Sequence, residues 1–367
     1  MVGQDHGYAR LPEDLLYGLL GEAAPITEAV ASMLSAGIEH REQLREGLND
    51  LGLIRQFTQV EPVPLAAIDG GFAVERTLAV DLLLSVAVGV EGLGTGTPWG
   101  ANQYRWWARA LPHQIESERL ARGVMIAQEL AILAGAPHPL KILDGSHLTL
   151  VIQLNAALTT QSEEIRALAR QEWESLGTID ALAQIARDAS VLAMPKYDSS
   201  RTIAKQLSDR TGIDLPGDDK YLLGMLLDGG EMVVAQQVPA EPWAQLHFDA
   251  RPGDEDLAEA LEAAIQPFIE RDIWFTYVKP DEASPAYRLE IKKEARDDLD
   301  LVCSTLASQI TGPFVREPYP QYLADVMAKS VGLGLSALQA AVQFDLSGRG
   351  QPEIARMLLS SYRTEGI

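Results

Sequence analysis

The sequence predicts an α/β fold: a mixed central sheet flanked by helices, with further helical sections at both ends. Three observations predict it. Two apolar runs, LAAIDGG and LKILDGS, have the length and composition of buried strands, and each closes on an aspartate, Asp69 or Asp144, before small residues that suit a turn. From Phe72 to Val90 the chain is rich in β-branched and aliphatic residues with polar interruptions, as expected of a hairpin beside the first strand. Residues 114–134, QIESERLARGVMIAQELAILA, then carry a helical period, giving the order strand, hairpin, helix, strand.

Taken from the start, LPEDLLYGLL, ITEAVASMLSAGI and REQLREGLNDLGLI place apolar residues at helical spacing between Gly and Pro signals, so residues 10–55 read as an N-terminal helical section. Pro62 and Pro64 mark the change of pattern before the first strand. The segment GLGTGTPWG lacks the Gly-Lys-Ser/Thr ending of a nucleotide-binding P-loop and reads as a connection. Downstream, LTLVIQLNAAL reads as a strand, residues 161–187 as helices, and SVLAMPKYDSSRTIAKQL as a strand, a turn and a helix. DIWFTYVKP and AYRLEIKKE read as a hairpin, with Arg288 and Glu290 on one face by strand alternation. From Leu299 onward the pattern is mainly helical.

Composition narrows the function. The formal net charge of −22 argues against a generic nucleic-acid binder, because neutralising phosphates takes clustered Lys and Arg. A polyanion must therefore be met locally, by metal ions, a few placed cations or a basic partner. The single cysteine, Cys303, excludes an internal disulfide and a cysteine-based zinc site, and reads as a small buried residue in a helix. The start, MVGQDHGYARLPEDL, lacks the basic flank and continuous apolar stretch of a signal peptide. No run approaches the roughly 20 apolar residues of a membrane span. A cytoplasmic protein is expected.

The chemistry resides in the acids. Strands ending on Asp69 and Asp144 deliver both carboxylates to the rim of one sheet, and the intervening helix runs antiparallel to them, so a glutamate on its inner side joins them. Glu116, Glu118 and Glu129 are the choices. Converging carboxylates repel unless a divalent cation neutralises them, and oxygen-rich sites take Mg²⁺ or Mn²⁺. Lys196, after the strand SVLAM, is placed to hold a scissile phosphate or stabilise its developing charge. In YRWWARALPH, Arg105, Trp106 and Arg109 combine aromatics with cations, a pattern that stacks and pairs with a single strand, while one of Trp106 and Trp107 enters the core.

Taken together and in order, AAIDGG, ILDGSHL, MPKYDSS, WFTYVKP with YRLEI, and EPYPQYLADVMAKS resemble the NurA nuclease family, over residues 61–335. The resemblance implies an RNase H-like core that cuts DNA with Mn²⁺ or Mg²⁺, usually as a homodimer working with the hexameric HerA ATPase in DNA end processing or phage defence. It makes Asp69 and Asp144 metal ligands, selects Glu129 as the third by its spacing, and matches Lys196. After the Tyr-Pro motif, Tyr319–Pro320, the family commonly has a histidine; here the nearest counterpart is Asp325. The first motif also reads Asp-Gly-Gly where the family usually has Asp-Gly-Ser. The expected division is a helical section over 1–60, a nuclease domain over 61–345 and a helical tail over 346–367. The expected chemistry is two-metal phosphodiester hydrolysis. Its rivals are a decayed nuclease fold that regulates a partner ATPase, and a metal phosphohydrolase acting on a small substrate.

Overall fold

The structure, a computed structural model, describes residues 12–359 apart from 79, 95–98, 100–102, 198, 240–245, 271–272 and 313–314. The segment GLGTGTPWG lies largely outside the described residues, as does the start of the chain. Three helices come first: α1 (Glu13–Gly21), α2 (Ala23–Glu39) and α3 (Arg41–Asp50), followed by a short strand β1 (Ile54–Gln56). The central unit is β2 (Leu65–Arg76), β3 (Asp81–Glu91), β4 (Tyr104–Leu111), the helix α4 (Ser117–Gly135) and β5 (Leu140–Asp144). Helices α5 (His147–Leu158), α6 (Glu163–Leu176) and α7 (Thr178–Arg187) lead to β6 (Val191–Met194).

The second half adds α8 (Thr202–Thr211), α9 (Asp219–Leu226), β7 (Glu231–Val233), β8 (Gln236–Gln237) and α10 (Glu255–Ile269). A hairpin of β9 (Ile273–Lys279) and β10 (Tyr287–Lys292) follows. The chain finishes in α11 (Leu299–Ser308), α12 (Tyr319–Lys329), α13 (Val331–Gly348) and α14 (Pro352–Leu359).

All the described strands join one sheet of order β1-β7-β9-β10-β6-β5-β2-β3-β4, with β8 paired to β9. Around the centre, β2, β5 and β6 are parallel while β3 and β4 run antiparallel, the arrangement of an RNase H-like core. Ala66 and Ile68 of β2 face α4, α5, α6, α7 and α10, in a core that includes Leu83, Leu130, Val151, Trp173 and Phe268. Leu65 and Ala67 face the other way, into a second core with Ile142, Leu289, Val302, Cys303 and Leu306. Strand alternation therefore gives this sheet two distinct faces, and Asp69 shares the face of Leu65 and Ala67.

Two readings are corrected. The first strand does not close on Asp69: β2 continues through Gly70 and Gly71 to Arg76, pairing throughout with β3. The two glycines admit neighbours to the sheet rather than making a turn. LTLVIQLNAAL is helix α5, not a strand, because Ser146 caps it by accepting from the Leu148 amide and its buried residues, Leu150, Val151, Leu154, Ala157 and Leu158, follow the helical period. The N-terminal helices form as expected, with α3 packed through Leu44 and Leu48 against Leu207 and Leu222 of α8 and α9. The division at residue 60 falls between β1 and β2, with β1 pairing into the same sheet through β7; that at 345 falls within α13. Among the described residues, no helix is long and apolar enough to cross a membrane.

Candidate metal centre

Parallel pairing of β2 with β5 aligns Ile68 with Leu143, so the next residues, Asp69 and Asp144, lie side by side. The Gly70 amide donates to Asp69 Oδ1 at 2.8 Å, and Gln321 of α12 donates from Nε2 to Asp144 Oδ1 at 2.9 Å. Helix α12 crosses over them and adds Asp325. Carboxylate oxygens of Asp69, Asp144 and Asp325 all come within 4.8 Å of one another. Lys196 stands just beyond β6 with Nζ 2.8 Å from Asp144 and 3.5 Å from Glu317, and also paired with Asp325.

Glu129 arrives from the opposite side. It is buried on α4, and its carboxylate occupies the space a Cβ at Gly70 would need. Only glycine at position 70 lets it come this close to Asp69. Gly71 has a parallel constraint, since a Cβ there would fall on the Ala328 carbonyl of α12. The Asp-Gly-Gly sequence is thus a packing requirement of this chain, with α12 seated directly on β2. Gly71→Ser should destabilise the protein by about 1–3 kcal/mol in chemical denaturation, because backbone must move; an unchanged midpoint would contradict this packing.

Electrostatics mark the cluster as short of positive charge. Burial, followed by the Asp144 charge, raises the pKa of Asp69 to about 8. Burial and then the charges of Asp69 and Asp144 push Glu129 well above the usual carboxylate range, and burial raises Glu317. Burial opposes the charge on Lys196, yet Asp144, Asp325 and Glu317 together outweigh it and raise its pKa. Asp325 is held below its ordinary value despite burial, because Lys196 and Lys329 bond to it. Two ammonium groups, Lys196 and Lys329, stand against three converging aspartates with Glu129 and Glu317 beside them, and an all-oxygen donor set fits a hard divalent cation such as Mg²⁺ or Mn²⁺.

Of the residues singled out from the sequence, Asp69, Asp144, Lys196 and Asp325 meet in one place. Glu129 adjoins them through Gly70 without belonging to the three aspartates that approach one another. Glu116 and Glu118 sit at the far end of α4, about 18 Å from Glu129 along the axis, where Glu116 accepts from the Gln161 and Ser162 amides. His147, two residues beyond Gly145, turns to the other face, buried against Phe268; burial and then Lys292 lower its pKa to about 4. Gln321 and Glu317 are not evident from the sequence, although Gln321 and Asp325 have the i, i+4 spacing of one helix face.

Strand alternation divides the Arg105, Trp106 and Arg109 group. Trp107 is 4% exposed in the core under α4, with Arg105 and Arg109 on that same face, and Arg109 donates to Glu172 of α6 at 3.1 Å. Trp106, 67% exposed, stands on the opposite face, in register with Val86 and Gly71, and Tyr104 is in register with Val88 and Asp69. The exposed aromatics, not the arginines, share the face of the acid cluster.

Solved structures place this arrangement among known folds. The NurA nuclease from Sulfolobus solfataricus matches with a TM-score of 0.53 at 14% identity, over 90% of this chain and 98% of that one. It shares this fold. A NurA structure bound to dAMP and manganese matches with a TM-score of 0.52 at 12% identity, over 83% of this chain and 92% of that one. A NurA structure with manganese matches at 0.51 and 12%, over 87% and 97%. No protein-family model matches the sequence, and no curated protein matches it. The NurA fold is therefore established by structure, and the acid cluster lies where β5 ends beside Asp69, within its parallel neighbour β2.

Proposed function

We propose that the chain is a metal-dependent deoxyribonuclease that hydrolyses phosphodiester bonds. The observation that carries this reading is the convergence of Asp69, Asp144 and Asp325 around Lys196 on a NurA fold, whose solved examples include one holding manganese and dAMP. Asp69, Asp144 and Asp325 would hold Mn²⁺ or Mg²⁺, with Glu129 behind Gly70 as a further acid. The bound ion supplies activated water at neutral pH and charge stabilisation at the phosphate.

The chain's own residues prepare that chemistry. The Gly70 amide orients Asp69, Gln321 fixes Asp144, and Lys196 offers an ammonium to a phosphate oxygen. Tyr104 and Trp106 offer stacking surfaces to a strand crossing the acid face. Incubation with a panel of single-stranded DNA, duplex DNA and RNA should show DNA cleavage that requires Mn²⁺ or Mg²⁺ and stops with chelator. Intact DNA under every metal condition would refute the reading.

The resemblance extends the proposal to a homodimer acting with a HerA-type hexameric ATPase, in the cytoplasm, in DNA end processing or phage defence. The net charge of −22 supports a partner that brings DNA to the cleft. A second reading, a NurA-like scaffold regulating such an ATPase, draws on Lys196, whose ammonium already neutralises part of the cluster. Specific divalent-ion binding separates the two, since the scaffold needs none.

A further inference from the structure

Lys196 holds together groups that a metal ion would claim. Its Nζ lies 2.8 Å from Asp144 and bonds to Asp325, two of the three aspartates that converge, and it lies 3.5 Å from Glu317. An ammonium and a divalent cation repel at such range, so both cannot sit among the same carboxylates. The ammonium must leave when an ion enters, and its destination decides whether it still serves the reaction.

The two lysines at the cluster differ in this respect. Lys329, with Nζ 2.6 Å from Asp325, is 73% exposed and turns freely to water. The Lys196 side chain is only 22% exposed, and its backbone is fixed, since its carbonyl accepts from Lys220 Nζ at 2.7 Å and Pro195 precedes it. A charge this enclosed needs another acceptor close by. Glu317 supplies one. Its Oε2 is buried and, among the described residues, accepts no hydrogen bond, although a carboxylate oxygen out of water ordinarily does. That same oxygen faces Lys196, so a shift of under about 1 Å brings Nζ to the length of about 2.7–2.9 Å typical of a charge-assisted bond. The backbone holds Glu317 in place: the Tyr319 amide donates to the Gln309 carbonyl at 2.9 Å, tying the approach to α12 to the end of α11. Glu317, Gln321 and Asp325 thus recur every four residues over one cluster, and each engages Asp144 or Lys196.

We propose that Glu317 is a positioning residue: it receives the Lys196 ammonium when a divalent cation occupies Asp69, Asp144 and Asp325, and holds it beside them, within reach of a phosphate oxygen. The proposal rests on the metal-dependent nuclease reading and adds to it a second station for Lys196. Without Glu317 the ammonium has only Asp144 and Asp325 to pair with, and it competes with the cation for both.

Calorimetric titration of Mn²⁺ into the full chain tests it, in wild type, Glu317→Gln, Lys196→Met and the double variant. Glu317→Gln should weaken Mn²⁺ binding about tenfold, and Lys196→Met should bind at least as tightly as wild type. In the Lys196→Met background the Glu317→Gln change should alter affinity by less than about twofold, because no ammonium remains to be placed. Equal affinity of wild type and Glu317→Gln overturns the proposal. So does a tenfold loss that persists in Lys196→Met, which makes Glu317 a direct ligand or a plain source of negative field. Both of these results leave the metal centre standing, whereas Mn²⁺ binding by neither wild type nor Lys196→Met removes the metal centre and the proposal with it.

Discussion

Asp69→Asn is expected to lower Mn²⁺-dependent DNA cleavage by at least about a thousandfold while the protein stays folded. The metal is asked to contribute several kcal/mol of charge stabilisation in the transition state, and about 1.4 kcal/mol corresponds to each power of ten in rate. Asp69 accepts from the Gly70 amide and approaches both Asp144 and Asp325, so neutralising it removes both a donor and much of the field that holds the cation. Asp325→Asn should fall in the same range, because Asp325 is one of the three aspartates that approach one another. Glu129→Gln should cost less, about ten- to a hundredfold, as expected of a residue that acts on the ligands from behind. Equal and severe losses for Glu129→Gln, with a mild effect of Asp325→Asn, would return the third ligand to the position the family resemblance selects. Cleavage rates of the purified variants, measured with Mn²⁺ and with chelator, decide it.

The same substitution should stabilise the metal-free protein, by an amount that grows with pH. In the folded chain the Asp69 carboxyl keeps its proton up to about pH 8, whereas in the unfolded chain it releases it near its ordinary value of 3.8. Between these values the folded state binds the extra proton, so stability falls as pH rises through this window and the loss is complete above pH 8. Asparagine does not titrate. Asp69→Asn should therefore match wild type near pH 4 and exceed it by a few kcal/mol at pH 8–9, since a tenfold difference in proton affinity between the two states corresponds to about 1.4 kcal/mol. Glu129 is raised in the same sense, through burial and then the Asp69 and Asp144 charges, so it loses part of its penalty when Asp69 is neutralised. His147 works in the opposite direction. Its pKa of about 4 against an ordinary 6.5 makes stability rise with pH across that interval, but it does so in both proteins and cancels in the difference. Thermal melts across pH in chelator would show the effect, and a constant difference between variant and wild type would contradict the electrostatic account of the cluster. Added Mn²⁺ should reverse the order at pH 8, stabilising only the wild type.

Much of the sheet is legible in the sequence because its central strands are buried on both faces. LAAI and LKIL are continuous apolar runs for that reason, and Asp69 and Asp144 follow them directly, side by side on the parallel strands β2 and β5. What the residues alone do not reveal is where β2 stops. Asp-Gly-Gly has the composition of a turn, yet here the glycines are strand residues thinned to admit Glu129 on one side and Ala328 on the other, a requirement set by elements far along the chain. Helix α5 is hidden for a related reason. Its apolar residues are so numerous that the helical period is masked, and the deciding signal is the short Ser146 cap.

The third acid shows the limit of spacing. Glu129 and Asp325 are each compatible with the family pattern, and only the path of α12 across β2 brings Asp325 within reach of Asp69 and Asp144. Alternation along β4 is, by contrast, legible from the residues themselves. Positions 105 and 109 share a face that 106 does not, so a strand over this segment already separates Trp106 from Arg105 and Arg109.

Anomalous diffraction from crystals grown with Mn²⁺ tests the central claim most directly. The account predicts manganese bound jointly by the carboxylates of Asp69, Asp144 and Asp325, with the Lys196 ammonium withdrawn from among them. Crystals that take up manganese only elsewhere, or leave Lys196 bridging Asp144 and Asp325 at saturating Mn²⁺, would contradict it.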